Sequence, residues 1–179
     1  LRQACWQACE WQRQGLAPIR VSVNLSVHQL RQGKLVSLVR QVLEETGLDP
    51  QYLELELTES QLLDSVEHII ATFQQLRDLG VKLAIDDFGT GYSSLLRLKR
   101  LPVQKLKIDQ GFVAGLPHDD DDVAIVRVII ALARSMGMQV QAEGIEEAEQ
   151  ARFLLEQMCE MGQGYWYGRP VPAQQLRWP

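Results

Sequence analysis

Histidine is scarce in this chain, three residues in 179. None of the three (His28, His68, His118) ends an apolar strand-like run, which argues against a zinc hydrolase built on imidazole ligands. Cysteine is equally rare. Cys5 and Cys9 lie four apart on one helical face and Cys159 stands alone. This odd count without metal-ligand spacing offers no disulfide framework and suggests reduced thiols in a cytosolic compartment. Positive charge is in deficit: 18 Lys and Arg face 23 Asp and Glu, a net charge of −5. That argues against a broad surface for a DNA or RNA polymer. A phosphate-bearing substrate would need metals or local Lys and Arg to receive it. No apolar run approaches the roughly 18–20 residues of a membrane span, and no signal peptide opens the chain. Linkers, low-complexity stretches and repeats are missing too. The chain opens on Leu1-Arg2-Gln3 within a helical pattern, so it reads as a piece whose beginning lies upstream.

What is present is ordinary for one globular domain: 46% hydrophobic and 23% charged residues. Strand and helix patterns alternate along it. Helical faces recur at 1–14, 35–47, 62–76, 93–100, 123–136 and 146–158. Strand-like runs recur at 19–25, 52–58, 82–86, 103–108, 140–142 and 164–167. The acidic run Asp119–Asp122 reads as a helix start rather than a metal site. Six strands joined by helical segments predict an α/β fold with a parallel sheet. No doubly wound phosphate fingerprint is present, so a (β/α) barrel is the better expectation. Its site would lie at the C-terminal strand ends. Eight strands close such a barrel, so two are expected upstream.

The segment DDFGTGYSSL at 86–95 carries the most chemistry. Asp86 and Asp87 sit where a buried strand runs into a loop that Gly89 and Gly91 let turn tightly. Other strand ends add Asn24, Glu56 with Glu59, Lys107 with Asp109, Glu143 with Glu146, and Gln163 with Arg169 close behind. Carboxylates with amide oxygens beside them suit hard cations such as Mg²⁺ or Mn²⁺. Two such ions would neutralise the acidic face and clamp a phosphodiester, and Lys107 would add a fixed positive charge. Each residue also has a plainer reading. Asn24 or Gln163 could make a turn, Glu56 could face solvent, Glu59 could be a first-turn acid, Glu143 a loop carboxylate and Lys107 a surface lysine. The joint pattern favours a site.

The segments VNLS (23–26), LELTES (55–60), DDFGTGYSSL, LKID (106–109), QAEGIE (141–146) and GQGYWYGRP (162–170) together resemble the EAL-domain cyclic di-GMP phosphodiesterases of bacteria. The resemblance implies a TIM-like (β/α) barrel of EAL type, and hydrolysis of cyclic di-GMP to linear pGpG with two Mg²⁺ or Mn²⁺ ions. It implies Asn24, Glu56 and Asp86 on a first metal, with Asp86 bridging to a second held by Asp87 and Glu143. Lys107 would position water, and Glu143 is also a candidate general base. Gln163 and Arg169 would serve the substrate, while Glu59 and Glu146 would brace the loop at 88–94 and the site. The resemblance further implies a homodimer, an upstream sensory or GGDEF-type domain, and a bacterial cytoplasmic location with a parent protein that a membrane could anchor.

One departure is large. The Glu-Ala-Leu motif that names the family, and a nearby phosphate-binding Arg, are not in these 179 residues. The expectation is a single, N-terminally truncated domain over 1–179 whose activity depends on what precedes it. The competing readings are a receptor that binds cyclic di-GMP without cleaving it, and another metal-dependent barrel enzyme.

Overall fold

The computed structural model describes residues 1–63, 66–91 and 95–176, with the backbone alone for residues 27, 31, 62, 63 and 66–68. The start of the helix expected from Ser93 lies outside the described residues, as does Trp178. Six strands, among the described residues, follow one another through the sheet in sequence order: β1 (Val21–Asn24), β2 (Leu53–Thr58), β3 (Lys82–Phe88), β4 (Lys105–Ile108), β5 (Gln139–Ala142) and β6 (Met161–Gly162). The chain divides into two compact units, Leu1–Lys105 and Leu106–Pro179.

In the first unit, β1 pairs with β2 and β2 with β3, all parallel. Helix α1 (Arg2–Arg13) packs on α3 (Leu35–Thr46), with Cys5, Ala8 and Cys9 buried on one side and Leu35, Val39, Val42 and Leu43 on the other. Cys9 Sγ donates to the Thr46 carbonyl at 3.3 Å. The left-handed Gly47 (φ 73°) stops α3, a conformation glycine adopts without a Cβ penalty. Strand β2 reads as alternating leucine and polar residues, yet Leu53 to Leu57 are all buried. Its leucines and its glutamates occupy opposite faces, and neither face meets solvent. Helix α4 (Val66–Asp78) follows, with Ile69, Phe73 and Leu76 buried, and then the short α5 (Leu95–Arg100).

In the second unit, α7 (Asp120–Ser135) and α8 (Ala148–Glu156) bury Val126, Ile129, Ile130, Ala133, Phe153 and Leu154. Asp119 caps α7 by accepting from the backbone N–H of Asp121 and Asp122, so the acidic run is the helix start that the sequence suggests. Cys159 is buried between the carbonyls of Val140 and Met161. Loss of hydration pushes its thiol up to about 11. A thiol that ionises more easily in the unfolded chain stabilises the fold below its ordinary pKa of 9.0, and that contribution fades as pH rises towards 11. Iodoacetamide at pH 8 is accordingly expected to leave Cys159 unmodified in the native protein and to alkylate it in urea, as read by peptide mass.

Three features differ from the sequence expectation. Two short helices were not anticipated. The first is α2 (Val27–Arg31), with its Ser26–Gln29 capping box; the second is α6 (Gln110–Ala114), capped by Asp109. The last strand is Met161–Gly162 rather than 164–167. Trp166 N–H donates to the Ile145 carbonyl and Tyr167 N–H to the Gly164 carbonyl, folding 164–167 into a turn despite its aromatic, strand-favouring residues. Trp166 is consequently half exposed in a turn, not packed in a strand.

Candidate active site

Parallel register decides which side chains of the first unit share a face. Asn24 pairs with Glu56, and Glu56 with Ala84; one step along, Thr58 pairs with Asp86. Paired residues on neighbouring strands, about 4.8 Å apart, point to the same side. Asn24, Glu56 and Asp86 therefore line one face near the C-terminal ends of β1, β2 and β3. Ala84, between Glu56 and Asp86 in this pattern, contributes only a methyl group. Glu56 and Asp86 are buried, at 6% and 9% exposure. Three oxygen donors with no thiol or imidazole among them fit a hard divalent cation.

Asp87 should face away from Asp86 by strand alternation. It does not continue the strand geometry: its φ is +52°, in the left-handed region that Asp tolerates better than most residues. That turn re-aims the second carboxylate, and the Asp86 Oδ1 accepts the Asp87 N–H at 3.2 Å. The two loop glycines have different tasks. Gly89 sits at φ +106°, whereas Gly91 is outside the left-handed region and leaves room for Glu59, whose Cδ would lie 3.1 Å from an added Cβ.

Glu59 is 2% exposed, and its Oε2 accepts the N–H of Gly89 at 2.7 Å and of Gly91 at 3.2 Å. These charge-assisted bonds fix the loop that follows Asp87. Glu59→Ala removes both bonds; because Gly89 is exposed and Gly91 half-buried, water can replace part of them, and the expected loss is about 1 kcal/mol for each. The expected result is a lower urea midpoint with Glu59→Gln falling in between. Equal midpoints for all three proteins would show that the bonds carry no stability.

In the second unit, Glu143 follows the end of β5, and its N–H donates to the Ile108 carbonyl of β4. Lys107, 3% exposed, places its Nζ 2.6 Å from Glu143 Oε1. Gln163 follows β6, with its N–H on the Ala142 carbonyl and its Oε1 accepting from Gln141 at 3.2 Å. Glu146 is exposed while Gln150 Oε1 accepts its backbone N–H, and Lys107 has Glu143 as its ion-pair partner within this unit. Arg169 lies over the Tyr165 ring at 4.4 Å. Asp109 is occupied as the α6 cap, accepting from Gly111 N–H. Two glycines shape these ends. A Cβ on Gly144 would come 2.5 Å from the Gln110 Cβ, and one on Gly164 would come 2.0 Å from the Ile145 carbonyl oxygen.

A buried ion pair escaped sequence reasoning. Glu54 Oε1 is 2.6 Å from Lys105 Nζ and accepts from Ser22 Oγ at 3.0 Å, and Arg20 approaches Glu54 Oε2 at 3.5 Å. The only available signal was a second glutamate two residues before Glu56.

The EAL domain family model matches residues 1–170. The chain is 46% identical over 176 residues to the bifunctional diguanylate cyclase/cyclic di-GMP phosphodiesterase MucR of Pseudomonas aeruginosa, covering 98% of this chain and 26% of that protein. A solved PaMucR phosphodiesterase in complex with c-di-GMP superposes with a TM-score of 0.93 at 45% identity, covering 97% of this chain and 70% of that one. A manganese and cyclic di-GMP complex of Klebsiella pneumoniae BlrP1 gives a TM-score of 0.85 at 29% identity, covering 95% and 43%. The fold is the α/β, TIM-like barrel type of these domains. Sheet order, strand-end chemistry and these matches lead to one assignment: the chain belongs to the EAL domain family.

Proposed function

We propose that this chain supplies the catalytic residues of a cyclic di-GMP phosphodiesterase that opens one phosphodiester bond to give linear pGpG, using Mg²⁺ or Mn²⁺. The observation that carries the reading is the register that lines up Asn24, Glu56 and Asp86 as oxygen donors on one face of β1–β3. The similarity to a cyclic di-GMP phosphodiesterase and to a manganese-bound relative supports the same reading. Asn24, Glu56 and Asp86 would hold one cation, and Asp86, Asp87 and Glu143 a second. Bound cations supply Lewis-acid activation of water and neutralise charge at phosphorus.

The side chains do the rest. Lys107, with its Nζ 2.6 Å from Glu143 Oε1, orients the attacking water and balances charge on a nonbridging phosphate oxygen. Glu143 is the nearest base in that pair to receive the water's proton. Water oxygen bonds to phosphorus as its proton passes to Glu143, the bond to the 3′ oxygen breaks, and that oxygen leaves as the free hydroxyl by taking a proton from solvent, to which Glu143 returns its own. Glu59 keeps the loop after Asp87 in place through its two backbone bonds. Gln163 and Arg169 contact the substrate, and Glu146 supports the second half of the site.

The whole of 1–179 would act as one EAL domain within a longer bacterial signalling protein, since the chain spans 26% of the length of MucR. That protein would act in the cytoplasm as a homodimer, with a sensory or GGDEF-type domain upstream. Among the described residues no helix is long and apolar enough to cross a membrane. The test is incubation of the chain, with its natural flanking sequence, with cyclic di-GMP and Mn²⁺, followed by chromatography. Metal-dependent pGpG is the expected result. Tight binding with cyclic di-GMP recovered intact would make the domain a receptor instead.

A further inference from the structure

We propose that the buried Glu54–Lys105 pair is a positioning device for the cation site, seating β2 so that Glu56 presents its carboxylate correctly. The proposal rests on Asn24 and Glu56 being cation ligands, as argued above. Glu54 and Lys105 are 1% and 5% exposed. They come from β2 and the first residue of β4, strands separated by β3. In a flat sheet those strands would lie about 10 Å apart. The 2.6 Å contact therefore spans β3 on one face of the sheet. Glu54 pairs in register with Ser22 of β1 and with Lys82 of β3, and Ser22 Oγ donates to Glu54 Oε1. Two residues further along the same strands, and on the same face, come Asn24 and Glu56. The charged row thus lies directly beneath the proposed ligand row.

Interior layers of such barrels draw side chains from alternate strands and are mostly bulky and branched. A buried ion pair in that place is not explained by stability. Desolvation of two charges offsets much of their attraction, and well-packed apolar residues are often as stable. What an apolar pair lacks is direction. The carboxylate of Glu54 accepts from Ser22 and is paired with Lys105 and Arg20, so it fixes β1, β2 and the start of β4 at defined distances. Partners standing behind metal ligands commonly change cation affinity by about 10–100-fold.

The test uses Glu54→Leu/Lys105→Met, which removes both charges and keeps apolar bulk, beside Glu54→Gln, which breaks the pair and leaves Lys105 buried. Each is made in the full protein with its natural flanking sequence. Three readouts are needed: the melting temperature, Mn²⁺ affinity from the paramagnetic resonance of free ion, and amide exchange over 53–58 by mass spectrometry. The expected double variant melts close to the wild type, binds Mn²⁺ about tenfold more weakly, and exchanges faster at 55–58. Unchanged Mn²⁺ affinity and exchange at matched melting temperature overturn the proposal. So does a double variant that fails to fold, because the pair would then hold the fold rather than the site. A wild type that binds no Mn²⁺ defeats the functional reading instead, and exchange over 55–58 then decides the positioning role alone.

Discussion

Glu143→Ala is expected to lower kcat/KM for cyclic di-GMP by at least about a hundredfold, the scale of losing a group that acts on developing charge. Three losses combine. A carboxylate proposed to hold a cation disappears, the candidate base disappears, and Lys107 loses the partner 2.6 Å from its Nζ. Lys107 is 3% exposed, so its orientation depends on what surrounds it rather than on water. Glu143→Gln separates the causes. It keeps the shape and an oxygen that can accept from Lys107, but it has no negative charge and little basicity. A glutamine variant as inactive as the alanine variant assigns the loss to charge, whereas partial activity assigns it to orientation. Both variants must melt as cooperatively as the wild type for the comparison to hold. Activity within a fewfold of wild type in the alanine variant would remove Glu143 from the mechanism.

The second large effect is on stability and substrate affinity together. A Cβ on Gly164 would lie 2.0 Å from the Ile145 carbonyl oxygen and 2.3 Å from its nitrogen. Those are backbone atoms, so no rotamer change makes room. The turn 164–167 must move, and the bond from Ile145 N–H to the Gln163 carbonyl moves with it. Overpacking of this kind costs about 1–3 kcal/mol, and each displaced backbone bond adds about 1 kcal/mol. For a chain of this size, about 3 kcal/mol lowers the melting temperature by roughly 6–12 °C. Gly164→Ala is therefore expected to melt that much earlier and, through Gln163 and Arg169, to raise KM more than it lowers kcat. Gly168→Ala is the control: nothing lies within 4 Å of its added Cβ, and its φ is outside the left-handed region. It should melt within a degree or two of wild type. Two glycine variants melting alike would show that the turn is not held against Ile145.

Much of this was legible in the sequence for a definite reason. Period-2 and period-3.6 patterns report burial of one face, and six strands with intervening helices emerged from them. Asn24, Glu56, Asp86, Lys107 and Glu143 lie at or beside strand ends, as expected, because polar residues interrupting apolar strands stand out in the sequence. The failures have causes as well. Tyr165–Tyr167 looked like a strand because aromatic residues favour strands, but the close approach of Gly164 to Ile145 imposes a turn. Helix α2 was missed although Ser26 and Gln29 carry a capping-box signature. A turn at this strand end was expected, but its placement on Asp87 at positive φ was not, because Asp enters the left-handed region only occasionally. Gly91 was credited with turning the chain, whereas its task is to leave space for Glu59. The Glu54–Lys105 pair joins residues 51 apart in sequence, and no local pattern reports such a contact.

The most direct test of the central claim is hydrolysis of cyclic di-GMP in water enriched in heavy oxygen, with Mn²⁺ present and the chain carried in its natural flanking sequence. Mass spectrometry of the nucleotides gives the answer. The account predicts linear pGpG with one heavy oxygen on its 5′ phosphate, formed only with the cation and not by Glu143→Ala. Cyclic di-GMP bound but recovered whole and unlabelled under saturating Mn²⁺ would contradict it.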